Sequence, residues 1–173
     1  MMEGGLNVAK QQQDSIKRRI FQGFETLLTQ IPFSKITVQM IADQAHIHRN
    51  TVYLHFTDKH DLLAQFLDHQ LRTYQLNASE LQRHPFQTIA QSYAATMAQK
   101  FIKQVSDTEF IQGSTDAFCR AIIRTNDGVT AYQILGKISA VQIWAKYNQQ
   151  PFDVFRDYQK FDHMINGGQF PKT

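Results

Sequence analysis

The residues best equipped for chemistry gather between positions 46 and 60, where four of the seven histidines (His46, His48, His55 and His60) fall. Protonation of this group raises the local charge below neutral pH. A metal site built on His46 and His48 is one reading. No acidic or cysteine partner stands at ligand spacing, so no metal is expected. Lys17, Arg18 and Arg19 form a second cluster in the first turns of a helical pattern. Basic groups there oppose the helix dipole. The run therefore either faces phosphate or forms a solvated face. His60, Asp61, Asp68 and His69 share one helix and read as solvated or salt-bridged groups. No Ser/His/Asp constellation and no phosphate loop is present, so neither an enzyme nor a cofactor is expected.

The elements that must position these groups are helical. Residues 1–13 are polar and Gln-rich and read as a loose tail. From Asp14 or Ser15, either of which can cap a helix, apolar residues recur at steps of three and four: Ile16, Ile20, Phe24, Leu27, Leu28 and Ile31. Pro32 stops that helix. Thr37 is a good N-cap, and Val38, Ile41, Ala42 and Ala45 give a short helix with one buried edge. After the isolated Ile47, Val52 and Phe56 mark the buried side of a second short helix. Two helices this short do not hold alone. They must pack on each other and on the first helix, which is the layout of a helix-turn-helix whose second helix enters the DNA major groove. Asp58 caps the next helix, striped by Leu62, Leu63, Phe66, Leu67, Leu71 and Tyr74.

Beyond His84-Pro85 the spacing predicts a helix from Phe86 to about Val105, with Ser106-Asp107 breaking it. Phe110–Arg124 reads as one or two short helices with Gly113-Ser114 as an interruption. Asn126-Asp127-Gly128 is a turn. A helix over Val129–Asn148 follows, and Pro151 opens a last one that Gly167-Gly168 ends. The fold class is thus all-α: an N-terminal three-helix domain over residues 1–60 and a larger helical domain over 61–173.

Composition narrows the class. With 42% hydrophobic and 19% charged residues, the chain reads as globular rather than disordered. No 18-residue apolar run is present, so no membrane span is expected. The opening MMEGGLNVAKQQQD lacks an apolar core and a small-residue cleavage site, so no secretory signal is expected. The single cysteine, Cys119, excludes an internal disulfide framework and a multi-cysteine zinc site. A cytoplasmic protein is the consequence. The net charge of +3 permits DNA binding without establishing it.

The stretch ITVQMIADQAHIHRNTVYLHFTDKHDLL resembles the DNA-binding signature of TetR-type transcriptional regulators. The matching features are Thr37, Ile41-Ala42, Ala45, Thr51-Val52-Tyr53, His55-Phe56, Asp58-Lys59 and Leu62-Leu63. About 50 N-terminal residues carry the likeness. The rest is similar only in layout, where a helix containing Gly136 and Trp144 precedes the last helix. The resemblance implies Thr37 and Gln39 near phosphate. It implies Arg49, Asn50 and Thr51 at base edges, Tyr53 and His55 on phosphates, and Lys59 on the DNA backbone from the next helix. Arg suits guanine and Asn suits adenine, while Tyr, Thr, His and Lys suit phosphate. The chain departs from the family pattern at His46, where the turn usually has Gly, and at His48, where the next helix usually has a Ser or Thr cap. A left-handed backbone is uncommon for His, and His is a poor cap. Either histidine could itself contact DNA.

The resemblance further implies a homodimer on a palindromic operator of double-stranded DNA. It would pair through the last two helices, about 129–166, and act as a repressor rather than an activator. A small-molecule effector would release it. Phe66, Tyr93, Met97, Phe101, Phe110 and Phe118 are candidates for lining an effector cavity, with ordinary core as the alternative for each. A rival within the fold is a dimer that has lost operator binding and acts through a protein partner.

Overall fold

A computed structural model of the chain describes residues 3–73, 77–93 and 100–171. Among these the regular structure is helical, in the order α1 (Glu3–Gln30), α2 (Val38–Gln44), α3 (Arg49–Tyr53), α4 (Lys59–Thr73), α5 (Ala78–Arg83), α6 (Pro85–Tyr93), α7 (Thr108–Thr125), α8 (Gly128–Tyr147) and α9 (Val154–Gly167). Two 3-10 turns, Phe33–Lys35 and Ile102–Gln104, separate some of them. The chain divides into two compact units, residues 1–67 with 101–114 and residues 68–100 with 115–173. The sequence-based division at residue 60 falls in the first turn of α4, a helix with residues in both units.

The first unit is built on α1. Its apolar stripe delivers Ile20, Phe24, Leu27 and Leu28 into a core with Phe33, Ile36, Ile41, Ala42, Val52, Phe56, Leu62, Leu63 and Phe66, all buried. Phe24 meets Phe33 and Phe66 edge-on, at centroid distances of 6.1 and 5.5 Å. Such T-shaped pairs align a ring's positive edge with a negative face. Gly23 lets α1 approach α2 closely: a Cβ there would stand 3.0 Å from Ala45 N and 3.2 Å from the Gln44 carbonyl carbon.

Contrary to the loose tail expected over residues 1–13, α1 starts at Glu3. The apolar pattern marks where the helix is buried, not where it ends. Once the packed part is nucleated, each further residue costs little, and Ala, Lys and Gln are good helix formers. Lys17, Arg18 and Arg19 are consequently mid-helix residues.

Residues 101–114 complete the first unit through two buried polar side chains. Gln104 donates from Nε2 to Leu28 O and Ile31 O, at 2.7 and 2.8 Å, and accepts from Phe33 N at 2.8 Å. It thereby satisfies carbonyls at the end of α1 that have no partner within the helix. Asp107 accepts from Ser34 N at 2.8 Å and, as the cap of α7, from Phe110 N at 3.0 Å. Burial works to raise its carboxyl pKa, but these N–H donors outweigh it and hold the pKa below the usual carboxylate value.

Here the structure departs from the helix predicted over Phe86–Val105. α6 is described as far as Tyr93, residues 94–99 lie outside the described set, and 102–104, where the helix was expected to continue, form a 3-10 turn. Apolar residues at steps of four do not exclude a break when the side chains beyond it are tied down elsewhere. Conversely, α7 is one helix through Gly113. That glycine is a close approach rather than an interruption, since a Cβ would lie 2.7 Å from Leu63 Cδ2.

In the second unit, Leu81, Ile122, Ala131 and Ile134 form one cluster and Phe86, Val141, Phe161 and Met164 another. The short α5, not anticipated from the sequence, is capped by Asn77, whose Oδ1 accepts from Ser79 N and Glu80 N. Asp127 caps α8 by accepting from Val129 N and Thr130 N. The N-terminus of α6 is capped from α9: Asp162 accepts from Phe86 N at 3.1 Å and Gln87 N at 2.8 Å. Burial pushes the Asp162 carboxyl up, against the pull of those two donors. The last helix begins at Val154 rather than at Pro151. Asp153 accepts from Arg156 N, and Phe152 stacks on Phe161 just ahead of the helix. Gly168, with φ +61°, ends it as expected.

Candidate nucleic-acid interface

The local signals that position α2 and α3 act as the sequence predicts. Thr37 is extended, and its hydroxyl accepts from Met40 N at 3.2 Å. A hydroxyl that accepts as a cap still has a proton to donate to phosphate. At the other end of α2, Ile47 N bonds Ala42 O and His46 N bonds Asp43 O. These two bonds make a Schellman closure, whose first residue past the cap is left-handed. That residue is His46, at φ +53°. The departure from glycine noted in the sequence is thus a real conformational demand on a histidine. His48 is the N-cap of α3 and makes no side-chain capping bond, in line with its poor capping chemistry.

The surface of α3 is polar and open. Val52 alone of its five residues is buried; Thr51 is half-buried, and Arg49, Asn50 and Tyr53 are exposed. Arg49 Nη2 donates to the Tyr53 hydroxyl at 2.9 Å, and its guanidinium carbon lies 5.4 Å from the Tyr53 ring centroid. These two residues, one turn apart, behave as a coupled pair. The phenol accepts from the guanidinium and keeps its own proton to give. Gln39, on α2, donates to Asp43 Oδ1 at 2.7 Å. With Ala42, His46, Ile47, His48 and Arg49 these two residues line an open groove between the short helices. His55 is half-buried against Phe56.

Lys59 sits differently from the rest. Its side chain is 20% exposed, and its ammonium lies 3.2 Å from the Glu109 carboxylate and 3.3 Å from the carbonyls of Phe33 and Ser34. The ammonium also stands 4.5 Å from the Phe33 ring centroid. A phosphate contact would require it to leave these partners. The helix it begins is well anchored. Asp58 Oδ1 accepts from His60 N and Asp61 N, and Asp61 Oδ2 accepts from Thr57 N. Burial would raise the Asp61 carboxyl, but bonds from Gln65 and Thr57 prevail and lower it. The loop after α3 is therefore gripped by the first turn of α4.

Two basic residues have roles that sequence alone did not assign. Lys17 donates to Gln65 Oε1 at 2.8 Å and lies over the Phe21 and Phe56 rings. Arg19 Nη2 donates to Ala45 O at 2.8 Å and His46 O at 2.7 Å. Neither the phosphate face nor the solvated face describes Arg19, because a guanidinium reaches across to another helix's end only once α1 and α2 are packed.

Residues 23–66 match the sequence family described as bacterial regulatory proteins, tetR family. Over this segment the chain is similar to the tetR family. The tetR-family match covers the last two turns of α1 and runs through α2, α3 and the first half of α4. The residues it spans include every expected DNA-facing position. Comparison with curated proteins returns no match. Among solved structures, a putative fatty acid metabolism regulator of Clostridium perfringens is 15% identical, covering 89% of this chain and all of that one, at a TM-score of 0.40. The transcriptional regulator FadR of Bacillus subtilis, solved with stearoyl-CoA, is 17% identical over 88% of this chain and 98% of its own, at 0.42. NalD of Pseudomonas aeruginosa, the secondary repressor of the MexAB-OprM multidrug efflux pump, is 16% identical over 94% and 100%, at 0.46.

Of the six residues expected around an effector, four have described side chains. Phe66, Phe101 and Phe110 are buried in the first unit and pack in sequence, with centroids 6.3 and 6.2 Å apart. Phe118 is half-buried in the second unit, against the cluster of Leu81 and Ile134. The Tyr93 side chain and Met97 lie outside the described residues. Among the described residues, no group of three or more His, Cys, Asp or Glu could hold a metal ion, and no helix is long and apolar enough to cross a membrane.

Proposed function

We propose that this chain is a tetR-type regulator, a sequence-specific DNA-binding repressor that acts as a homodimer on a palindromic operator in the cytoplasm. The observation that carries the reading is the surface of α3, which presents Arg49, Asn50 and Tyr53 to solvent while Val52 anchors it. Arg49 and Asn50 read base edges. Thr37, Tyr53 and His55 fix the register on phosphates. Thr51, Gln39 and His48 border that face, and Lys59 supports it by holding the Phe33–Ser34 turn.

The second copy is proposed to pair through α8. Val129, Tyr132, Ile143 and Tyr147 are exposed large hydrophobics on that one helix, at spacings that keep them on one side. Gly136 lies midway, and a Cβ there would meet nothing within 4 Å. The stripe is bulky at both ends and small in the middle, so it can meet its own copy about a two-fold axis. The outer side of α9, with Arg156, Gln159, Lys160 and His163 exposed, is polar and would flank the contact. A small-molecule effector that displaced α4 would carry with it the Asp58 turn that follows α3, shifting the population away from the DNA-competent state. The protein has no catalytic role in this reading.

Selection of bound duplexes from a random pool at physiological salt tests the proposal. A palindrome is expected, with half-site centres about 34–36 Å apart or somewhat more. A folded dimer that enriches no sequence would refute operator binding and leave the protein-partner reading in its place.

A further inference from the structure

The turn between α2 and α3 holds a residue whose type disfavours it. His46 has φ +53°, in the left-handed region that costs a residue with a Cβ. The Schellman closure around it satisfies Ala42 O and Asp43 O. It leaves the carbonyls of Ala45 and His46 pointing past the end of the helix. Both are taken by one group, Arg19 Nη2, at 2.8 and 2.7 Å. Arg19 and Gly23 are four residues apart and so lie on one side of α1. Gly23 is where the backbone of Gln44 and Ala45 comes closest. One face of α1 therefore both admits the end of α2 and grips it. The guanidinium also places a positive charge at the negative end of the α2 dipole.

We propose that Arg19 is a positioning residue for DNA recognition: by clamping the Ala45 and His46 carbonyls it holds the left-handed turn that aims α3. The inference rests on the DNA-binding reading above. Arg19 reaches no base or phosphate in this role. It replaces, with two charge-assisted hydrogen bonds, the conformational ease that glycine would bring at position 46. Because the turn lies only three residues ahead of Arg49, a loosened turn changes where Arg49 and Asn50 fall along the groove. The damage should thus appear in sequence discrimination before it appears in general affinity for DNA.

The test compares wild type, Arg19→Ala, His46→Gly and the double variant. Three readouts are taken: affinity for the selected duplex, affinity for a scrambled duplex of equal length, and amide hydrogen exchange at His46 and Ile47 without DNA. Arg19→Ala is expected to lower specific affinity about ten-fold, the usual effect of losing a charge-assisted bond. It should leave scrambled-duplex affinity within about two-fold and speed exchange at Ile47, whose N–H closes the turn. His46→Gly in the Arg19→Ala background should restore most of the specific affinity, since glycine needs no clamp to hold φ positive. Equal loss on both duplexes, with a shallower salt dependence, unchanged exchange and no rescue, would make Arg19 a phosphate ligand and overturn the proposal. Unchanged affinity and exchange would also overturn it. If no duplex is selected by wild type, the DNA-binding reading fails. The clamp itself then still stands or falls on the exchange rate at Ile47.

Discussion

The tie that residues 101–114 make within the first unit yields a prediction with a definite size. Gln104 is 2% exposed and makes three hydrogen bonds, to Leu28 O, Ile31 O and Phe33 N. Gln104→Leu puts an apolar side chain, one atom shorter, in its place and removes all three. The Phe33 N–H, at a buried bond, loses its acceptor, and a buried donor left unmet costs about 1–3 kcal/mol. The two carbonyls at the end of α1 add about 1 kcal/mol more, because Ile31 is only half-buried and water can reach it in part. Leucine's apolar surface offsets about 1 kcal/mol. The net expected loss is about 1–3 kcal/mol, or on the order of 5 °C in melting temperature for a chain of this size. Urea unfolding followed by circular dichroism measures it. The lone tryptophan, Trp144, lies in the second unit, so its fluorescence shows whether the loss is confined to the first. A variant within about 0.5 kcal/mol of wild type by circular dichroism would refute the reasoning, since surface substitutions fall in that range.

Four further outcomes are expected. Gly23→Ala places a methyl 3.0 Å from backbone, which cannot rotate away; overpacking of about 1–3 kcal/mol should exceed the roughly 1 kcal/mol gained in helix propensity, so a rise in melting temperature would contradict the close approach. Arg49→Ala and Tyr53→Phe should each weaken DNA binding, with Arg49→Ala also relaxing base preference, and a double-mutant cycle should return a coupling above about 0.5 kcal/mol; strict additivity would mean the Arg49–Tyr53 bond has no part in the complex. Asp107 and Asp162 should respond oppositely to pH. The Asp107 carboxyl is lowered, so its stabilisation is present above the unfolded-state pKa and fades as pH falls through the folded value. The Asp162 carboxyl is raised, so its contribution is full below the unfolded-state pKa and fades as pH rises through the folded value. Urea midpoints between pH 4 and 7 should therefore show the cost of Asp107→Asn growing with pH and that of Asp162→Asn shrinking; the same trend in both would count against these environments. Finally, Tyr132→Glu with Ile143→Glu should convert the dimer to folded monomer in sedimentation, and an unaltered dimer would move the interface off α8.

Much of the local structure around α2 and α3 was legible before any fold was known, because its signals close within a few residues. Thr37 and Asp58 cap helices by bonding N–H groups two or three positions ahead. The apolar steps of α1, α2 and α4 name the buried sides that the structure shows, and the short paired helices at 37–56 have few ways to be stable other than on a third. The odd residue at position 46 was visible too, because the family the sequence resembles usually has Gly in that turn. What was not legible lies where a backbone group meets a side chain far along the chain. Gln104, Asp107 and Asp162 look in sequence like surface residues near helix ends, yet their partners are 71 to 76 residues away. Gly113 looks like a break and is a contact with Leu63. Lys59 and Arg19 look like free cations and are held by carbonyls. The sequence by itself determined the helices of the N-terminal unit, the Thr37 and Asp58 caps and the polar face of α3, since these depend on neighbours along the chain. Tertiary structure alone decided which unsatisfied backbone groups each long polar side chain would find, because that depends on which helix ends packing brings within a hydrogen bond's reach.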